Sequence, residues 1–184
     1  MKSLQLEKPH AIIVIGIQGS GKSFFASKFA DTFNAPFLDQ SFLAASARDE
    51  KAAQQLMENA VAQTVKTGRS IIIEMSLSTR SERNELSRQL RTNGYVPMYV
   101  WVQVDVDTAM NRAYKGSGIR QDDYRERMKR FSAPHATEKA LVISGKHTFA
   151  TQAKAVLKKL SSPRTSAVAP ETRRPAARGQ IIVR

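Results

Sequence analysis

Apolar residues follow two alternating patterns along this chain. Ala11-Ile12-Ile13-Val14-Ile15-Gly16 is an unbroken, largely β-branched run, as in a strand buried on both faces. The spacing then turns helical over 22–33, where Phe25, Phe29 and Phe33 fall at i, i+4 and i+8 beside Ala26 and Ala30. Pro36-Phe37-Leu38-Asp39 reads as a short second strand. Residues 49–66 form an amphipathic helix with Ala53, Leu56, Met57, Ala60, Val61 and Val65 on one side and Gly68 as its C-cap. Ser70 to Met75 is a further buried strand. Thr79-x-x-Glu82 is a capping box opening a helix through Leu86 and Leu90, which Asn93-Gly94 closes. Tyr95 to Val104 is a long strand, and Asp105 caps a helix to about Tyr114 that Lys115-Gly116-Ser117-Gly118 breaks. A charged helix over 121–131, a strand over 140–144 and a helix over 149–160 complete the pattern. Five strands alternating with helices predict an α/β three-layer sandwich, a five-stranded parallel sheet with helices on both faces.

Composition sharpens this picture in three ways. The 184 residues are 41% hydrophobic and 24% charged, which suits a globular domain. The absence of Cys excludes disulfide scaffolds, thiolate metal sites and Cys nucleophiles. No apolar run approaches the roughly 18 residues of a membrane span, so no membrane contact is expected and a cytoplasmic protein is. The net charge of +13 points toward polyanionic partners, with nucleic acid one possibility. From Ser161 onward the chain turns to Pro, Ala, Arg, Ser and Thr. The expected organisation is therefore a domain over 1–160 and a basic tail over 161–184, the latter too polar to bury a core.

Gly16-Ile17-Gln18-Gly19-Ser20-Gly21-Lys22-Ser23 satisfies G-x-x-x-x-G-K-[ST] between a buried strand and a helix. This spacing lets successive backbone N–H groups turn inward on a phosphate at the positive end of the helix. Gly16, Gln18, Gly19, Ser20, Gly21, Lys22 and Ser23 are the expected nucleotide-binding residues. Lys22 would reach the β- and γ-phosphates, and Ser23 would ligate Mg²⁺. ATP is the expected nucleotide, since no Asn-Lys-x-Asp stretch for guanine is present.

The other candidates sit at strand ends, where sites of open α/β sheets form. Asp39 lies where a carboxylate could take the proton of an acceptor hydroxyl, or it caps the following helix. Glu74, after Ile71-Ile72-Ile73, stands where a carboxylate would hold Mg²⁺ through water, or it is structural. Arg112, Lys115 and Arg120 surround the Gly116–Gly118 segment as the cations of a closing lid, or they belong to a solvated loop. Arg80 and Arg83 are candidates to meet an acidic acceptor. Arg127 and Lys129-Arg130 read as solvated helix face.

Several stretches together resemble a known group. They are Gly16 to Ser23, Phe37-Leu38-Asp39, Ile71-Ile72-Ile73-Glu74 with Ser81-Glu82-Arg83, Val104-Asp105-Val106-Asp107 leading to Asn111-Arg112, and Arg127 to Pro134. In this order they resemble the small P-loop kinases related to the kinase domain of phage polynucleotide kinase. They are also similar to zeta-toxin-type and chloramphenicol-phosphotransferase-like kinases. The resemblance covers about 10–160 and implies a nucleoside-kinase-like P-loop fold. It implies that Lys22 and Ser23 serve ATP and Mg²⁺, that Asp39 activates a hydroxyl-bearing acceptor, and that Arg112 and Lys115 cover the phosphates. Pro134 would lie near the adenine. The chain departs from the group at Glu74, where Asp is usual, at Met75-Ser76-Leu77-Ser78, at a second lid arginine that is absent or displaced to Arg120, and after Asp39. The expected function is transfer of the ATP γ-phosphate to a nucleic-acid 5′-OH or a small metabolite. Two alternatives are a nucleotide-binding switch whose basic tail contacts nucleic acid, and a toxin-like kinase acting on an activated sugar.

Overall fold

A computed structural model describes Leu4 and residues 6–162. Five parallel strands form one sheet: β1 His10–Ile15, β2 Phe37–Asp39, β3 Ile71–Glu74, β4 Val96–Gln103 and β5 Leu141–Ser144, in the order β2-β3-β1-β4-β5. Seven α-helices connect or follow them: α1 Lys22–Phe33, α2 Gln40–Ala45, α3 Glu50–Thr64, α4 Arg80–Thr92, α5 Val106–Ser117, α6 Gln121–Arg130 and α7 Phe149–Ser161.

The period-2 alternation of β1 divides the core between the two faces. Ala11, Ile13 and Ile15, with Ile71 and Ile73, pack against Met57 and Val61 of α3 and Leu86 and Leu90 of α4. Ile12 and Val14, with Ile72, Val100 and Val102, pack against Phe25 and Phe29 of α1 and Val156 of α7. Burying each Phe or Ile side chain is worth about 1.5–3 kcal/mol, so a continuous apolar run is what this central strand requires. The central position of β1 brings its C-terminal loop to the middle of the sheet's upper edge.

The expected elements are present, with three differences. Leu56 stands on the exposed side of α3, because the buried stripe runs Ala53, Met57, Val61 at i, i+4 and i+8. Residues 65–67 tighten into a 3-10 turn before Gly68. Helix α5 does not break at Lys115. It runs through Gly116 to Ser117, whose hydroxyl donates to the Ala113 carbonyl, and it ends at Gly118 in the left-handed region. A single helical Gly costs about 1 kcal/mol relative to Ala, too little to stop a helix whose C-cap lies two residues further on. At the boundary expected at 160/161, α7 includes Ser161. Residues 163–184, most of the expected basic tail with its tip Gln180–Arg184, lie outside the described residues.

Candidate nucleotide site

Strand β1 ends at Ile15, and the loop 16–21 leads directly into α1. Gly19 has φ +82°, and a Cβ there would overlap the Ala109 carbonyl oxygen of α5. Only glycine allows the loop to lie this close to the helix. Gly21 is the N-cap of α1 and uses no side-chain cap, so the first N–H groups of the helix remain available to an anion. The first turn carries no carboxylate that would compete with a phosphate.

Three strand ends converge beside this loop. Ser23 Oγ donates to Glu74 Oε1 at 2.7 Å, and Lys22 Nζ lies 3.6 Å from the same oxygen. Glu74 is only 3% exposed, and its Oε2 has no hydrogen-bond partner among the described residues. Burial pushes its carboxyl above the ordinary carboxylate value. The Ser23 hydrogen bond and the Lys22 charge pull the other way, and the nearby Asp39 charge adds to the rise. Asp39 is the register partner of Glu74 on the neighbouring strand. Its Oδ1 accepts the N–H groups of Ser41 at 2.8 Å and Phe42 at 3.3 Å, so it caps α2 as well as facing the site. Gln40 Oε1 accepts the Ser76 N–H at 2.6 Å and ties α2 to the segment after β3.

Ser23 and Glu74 supply hard oxygen donors, one of them buried and unpaired, of the kind Mg²⁺ takes alongside phosphate oxygens. No group of three or more Asp, Glu or His side chains among the described residues could hold a metal by itself.

The lid candidates lie on α5, at the start of α6 and on α6 itself. Arg112 Nη1 donates to the Gly145 carbonyl at 3.0 Å, spanning from α5 to the turn after β5. Lys115 is exposed on α5. Arg120 lies 3.9 Å from Asp123 and is exposed. Arg127 is exposed, as expected of a solvated face, and also donates from Nη1 to Gln18 Oε1 of the phosphate loop at 2.9 Å. Gln18 Nε2 donates to Ser117 Oγ at 3.0 Å, and the Tyr124 hydroxyl donates to the Gln18 carbonyl at 3.2 Å. Ala109, Ala113 and the buried Tyr124 form a small apolar cluster with Ile17, Met110 and Met128 beneath these bonds. The sequence held a signal for Arg127. Tyr124, Arg127 and Met128 fall at i, i+3 and i+4, so they share a helix face.

Arg83 is not placed to meet an acceptor. It is fully buried, pairs with Glu138 through two hydrogen bonds of 2.7 and 3.1 Å, and donates to the Leu77 carbonyl. It shares the inner face of α4 with Leu86, Ser87 and Leu90. Arg80 donates to Thr137 Oγ1 at 3.0 Å, and Pro134 is half-buried in the segment after α6.

A parallel 2-3-1-4-5 sheet with G-x-x-x-x-G-K-S between β1 and α1 defines a P-loop NTPase fold. Residues 12–115 match the AAA domain family, and the chain belongs to that family. Among solved structures it is similar to a gluconokinase from Sinorhizobium meliloti 1021, with 16% identity and a TM-score of 0.64 over 83% of this chain and 91% of that one. It is similar to the Mycobacterium tuberculosis APS kinase CysC, solved with AMPPNP and APS, with 17% identity and a TM-score of 0.63 over 84% and 99%. A sugar kinase from Janibacter sp. HTCC2649 gives 17% identity and 0.61 over 82% and 93%. At these identities the likeness establishes the fold. No curated protein matches the sequence. No helix among the described residues is long and apolar enough to cross a membrane.

Proposed function

We propose that the protein is an ATP-dependent kinase that transfers the γ-phosphoryl group of Mg-ATP to an acceptor hydroxyl. The observation that carries this reading is the convergence of Lys22 and Ser23, at the start of α1, with Glu74 and Asp39 at adjoining strand ends. A phosphate loop alone suits any NTPase. A second carboxylate beside it, on the edge-side strand, is what a hydroxyl acceptor needs. The family match and the neighbours described as gluconokinase, sugar kinase and APS kinase support the same class.

In this reading the loop N–H groups and Lys22 bind the β- and γ-phosphates. Lys22 exchanges its Glu74 contact for phosphate oxygens. Ser23 and Glu74 hold Mg²⁺, which when bound offsets the charge of those phosphates. Asp39 orients the acceptor hydroxyl and takes its proton. The hydroxyl oxygen bonds to the γ-phosphorus, the bond to the β,γ-bridging oxygen breaks, and ADP leaves with that electron pair. Arg112, Lys115 and Arg127 supply positive charge from the α5–α6 lid. The acceptor is a nucleic-acid 5′-OH or a small metabolite.

The test is incubation with Mg²⁺ and γ-labelled ATP, beside Lys22→Ala and Asp39→Ala variants. The acceptor panel holds 5′-OH RNA, 5′-OH DNA, nucleosides and sugars. Transfer to one class, abolished by K22A and reduced about 10²–10⁴-fold by D39A with ATP binding kept, supports the proposal. Nucleotide binding without transfer to any acceptor overturns it in favour of a nucleotide-binding switch.

A further inference from the structure

The charge of this chain is distributed unevenly. No Asp or Glu occurs between Glu138 and Glu171. Residues 139–184 hold ten Lys and Arg against one Glu, a net +9 within the chain's +13. On α4 and α6 several cations are paired with carboxylates of the same helix. In α6, Arg125 pairs with Asp122 and Arg130 with Glu126, and in α4, Arg88 pairs with Glu85. Helix α7 carries no carboxylate. Its Lys154, Lys158 and Lys159 are exposed and have no ion-pair partner among the described residues.

Helix α7 packs beside α1, where Phe25 lies 6.1 Å from Phe149 between ring centroids. Lys28 of α1 is exposed over this seam, its Nζ 5.1 Å from the Phe149 ring centroid and 5.4 Å from that of Phe24. Phe24 is 61% exposed, and Asp31 is the one carboxylate on α1. Lys154 and Lys158 lie one turn apart on the solvent side of α7, with about 6 Å between them along the axis. The apolar side of α7, including Ala153 and Val156, is already buried against the sheet. It therefore has no hydrophobic face to insert into a bilayer.

We infer that the α1–α7 face is a docking surface for single-stranded nucleic acid, distinct from the nucleotide site. Unneutralised lysines at helical spacing track a phosphate backbone. An exposed aromatic ring beside a cation gives an unpaired base a stacking platform. The basic residues after Ser162 extend the same charge in sequence.

The test uses the full chain without nucleotide, so its outcome is independent of the phosphotransfer reading. A labelled 20-nucleotide RNA or DNA strand is titrated by fluorescence anisotropy at several KCl concentrations. The Lys154→Glu, Lys158→Glu, Lys159→Glu triple variant is compared with a Lys51→Glu, Lys66→Glu variant on and just after α3, across the sheet. The α7 variant should weaken binding at least tenfold in low salt. It should also lower the log–log salt slope by about 2, three contacts at roughly 0.7 each. The α3 variant should have little effect, and Phe24→Ala should reduce the preference for single strands over duplex. Unchanged melting temperatures of the Lys variants show that the fold is intact. Absence of binding by the parent chain overturns the inference. So does binding that the α7 variant leaves unchanged while replacement of the tail arginines by Ser abolishes it. Equal retention on phosphatidylserine vesicles overturns the choice of nucleic acid.

Discussion

Ser23 and Glu74 are 51 residues apart in sequence and joined by a 2.7 Å hydrogen bond that links the start of α1 to the end of β3. An Asp at position 74 would be one methylene shorter and would leave that oxygen short of Ser23. The longer side chain is what makes the direct contact. The same contact places Glu74 beside Lys22, so the two groups expected to bind phosphate and metal are held together in the free protein.

Glu74→Gln separates the stability role of this side chain from its ligand role. Burial raises the Glu74 carboxyl pKa, so the native state favours the protonated form. Below the ordinary carboxylate value the group is neutral whether folded or unfolded, and it costs nothing. As pH rises through its raised native value, ionisation costs native stability. At pH 7 the Gln variant should therefore melt a few degrees higher than the parent, and the difference should vanish near pH 4. The same variant should need at least tenfold more Mg²⁺ for half-maximal turnover. Melting curves across pH and a Mg²⁺ titration of activity check both parts.

The Arg83–Glu138 pair supports the segment that returns from α6 to β5. Both side chains are buried, and Arg83 also accepts the Tyr99 hydroxyl on its own carbonyl. Removing one partner of such a pair costs about 3–5 kcal/mol, so Arg83→Ala should unfold well below the parent. Burial disfavours ionised Glu138, yet Arg83 and the His135 N–H together hold its carboxyl below the ordinary value. Its stabilisation is present above about pH 4.5 and is lost as pH falls through the lower native value. Glu138→Gln should therefore be less stable at neutral pH and flatter on the acid limb, as chemical denaturation at several pH values would reveal.

What the sequence disclosed and what it hid divide along physical lines. The buried β1 run, the Phe25–Phe29–Phe33 stripe, the Thr79 capping box and the phosphate loop depend on local spacing, and each stands where the pattern puts it. For Arg83 helix face outweighs charge, and for the exposed Arg127 it adds a contact that charge alone does not indicate. Arg83 shares its face with Leu86 and Leu90, and Arg127 shares its face with Tyr124 and Met128. Gly116 does not end α5, because one glycine does not stop a helix that has a better cap at Gly118. The Asp39–Glu74 pairing depends on strand order, which no local pattern encodes.

Gly19 and Gly118 share a positive φ but differ in surroundings. A methyl at Gly19 meets the Ala109 carbonyl, whereas nothing lies within 4 Å of one at Gly118. Gly118→Ala should cost only the backbone strain, about 1 kcal/mol. Gly19→Ala must also push the phosphate loop off α5. It should cost about 2–4 kcal/mol and abolish measurable nucleotide binding, checked by denaturation and by titration with a fluorescent ATP analogue.

Gln18 is the point where the phosphate loop meets both α5 and α6, through Ser117 of α5 and through Arg127 and Tyr124 of α6. Arg127 is thus the α6 cation already at the loop, whereas Arg125 points to Asp122 on the surface. If Arg127 meets charge that develops during phosphoryl transfer, Arg127→Ala should lower kcat about 10²–10³-fold with a smaller change in the KM for ATP. Arg125→Ala should leave both within about twofold. Gln18→Ala removes both side-chain bonds while leaving the Tyr124 bond to the backbone. It should therefore raise the KM for ATP more than it lowers kcat. Steady-state kinetics of the three variants separate a positioning role for Gln18 from a direct charge role for Arg127. An Arg127→Lys variant that restores most of the lost kcat would assign the effect to the charge itself rather than to the fork of the guanidinium.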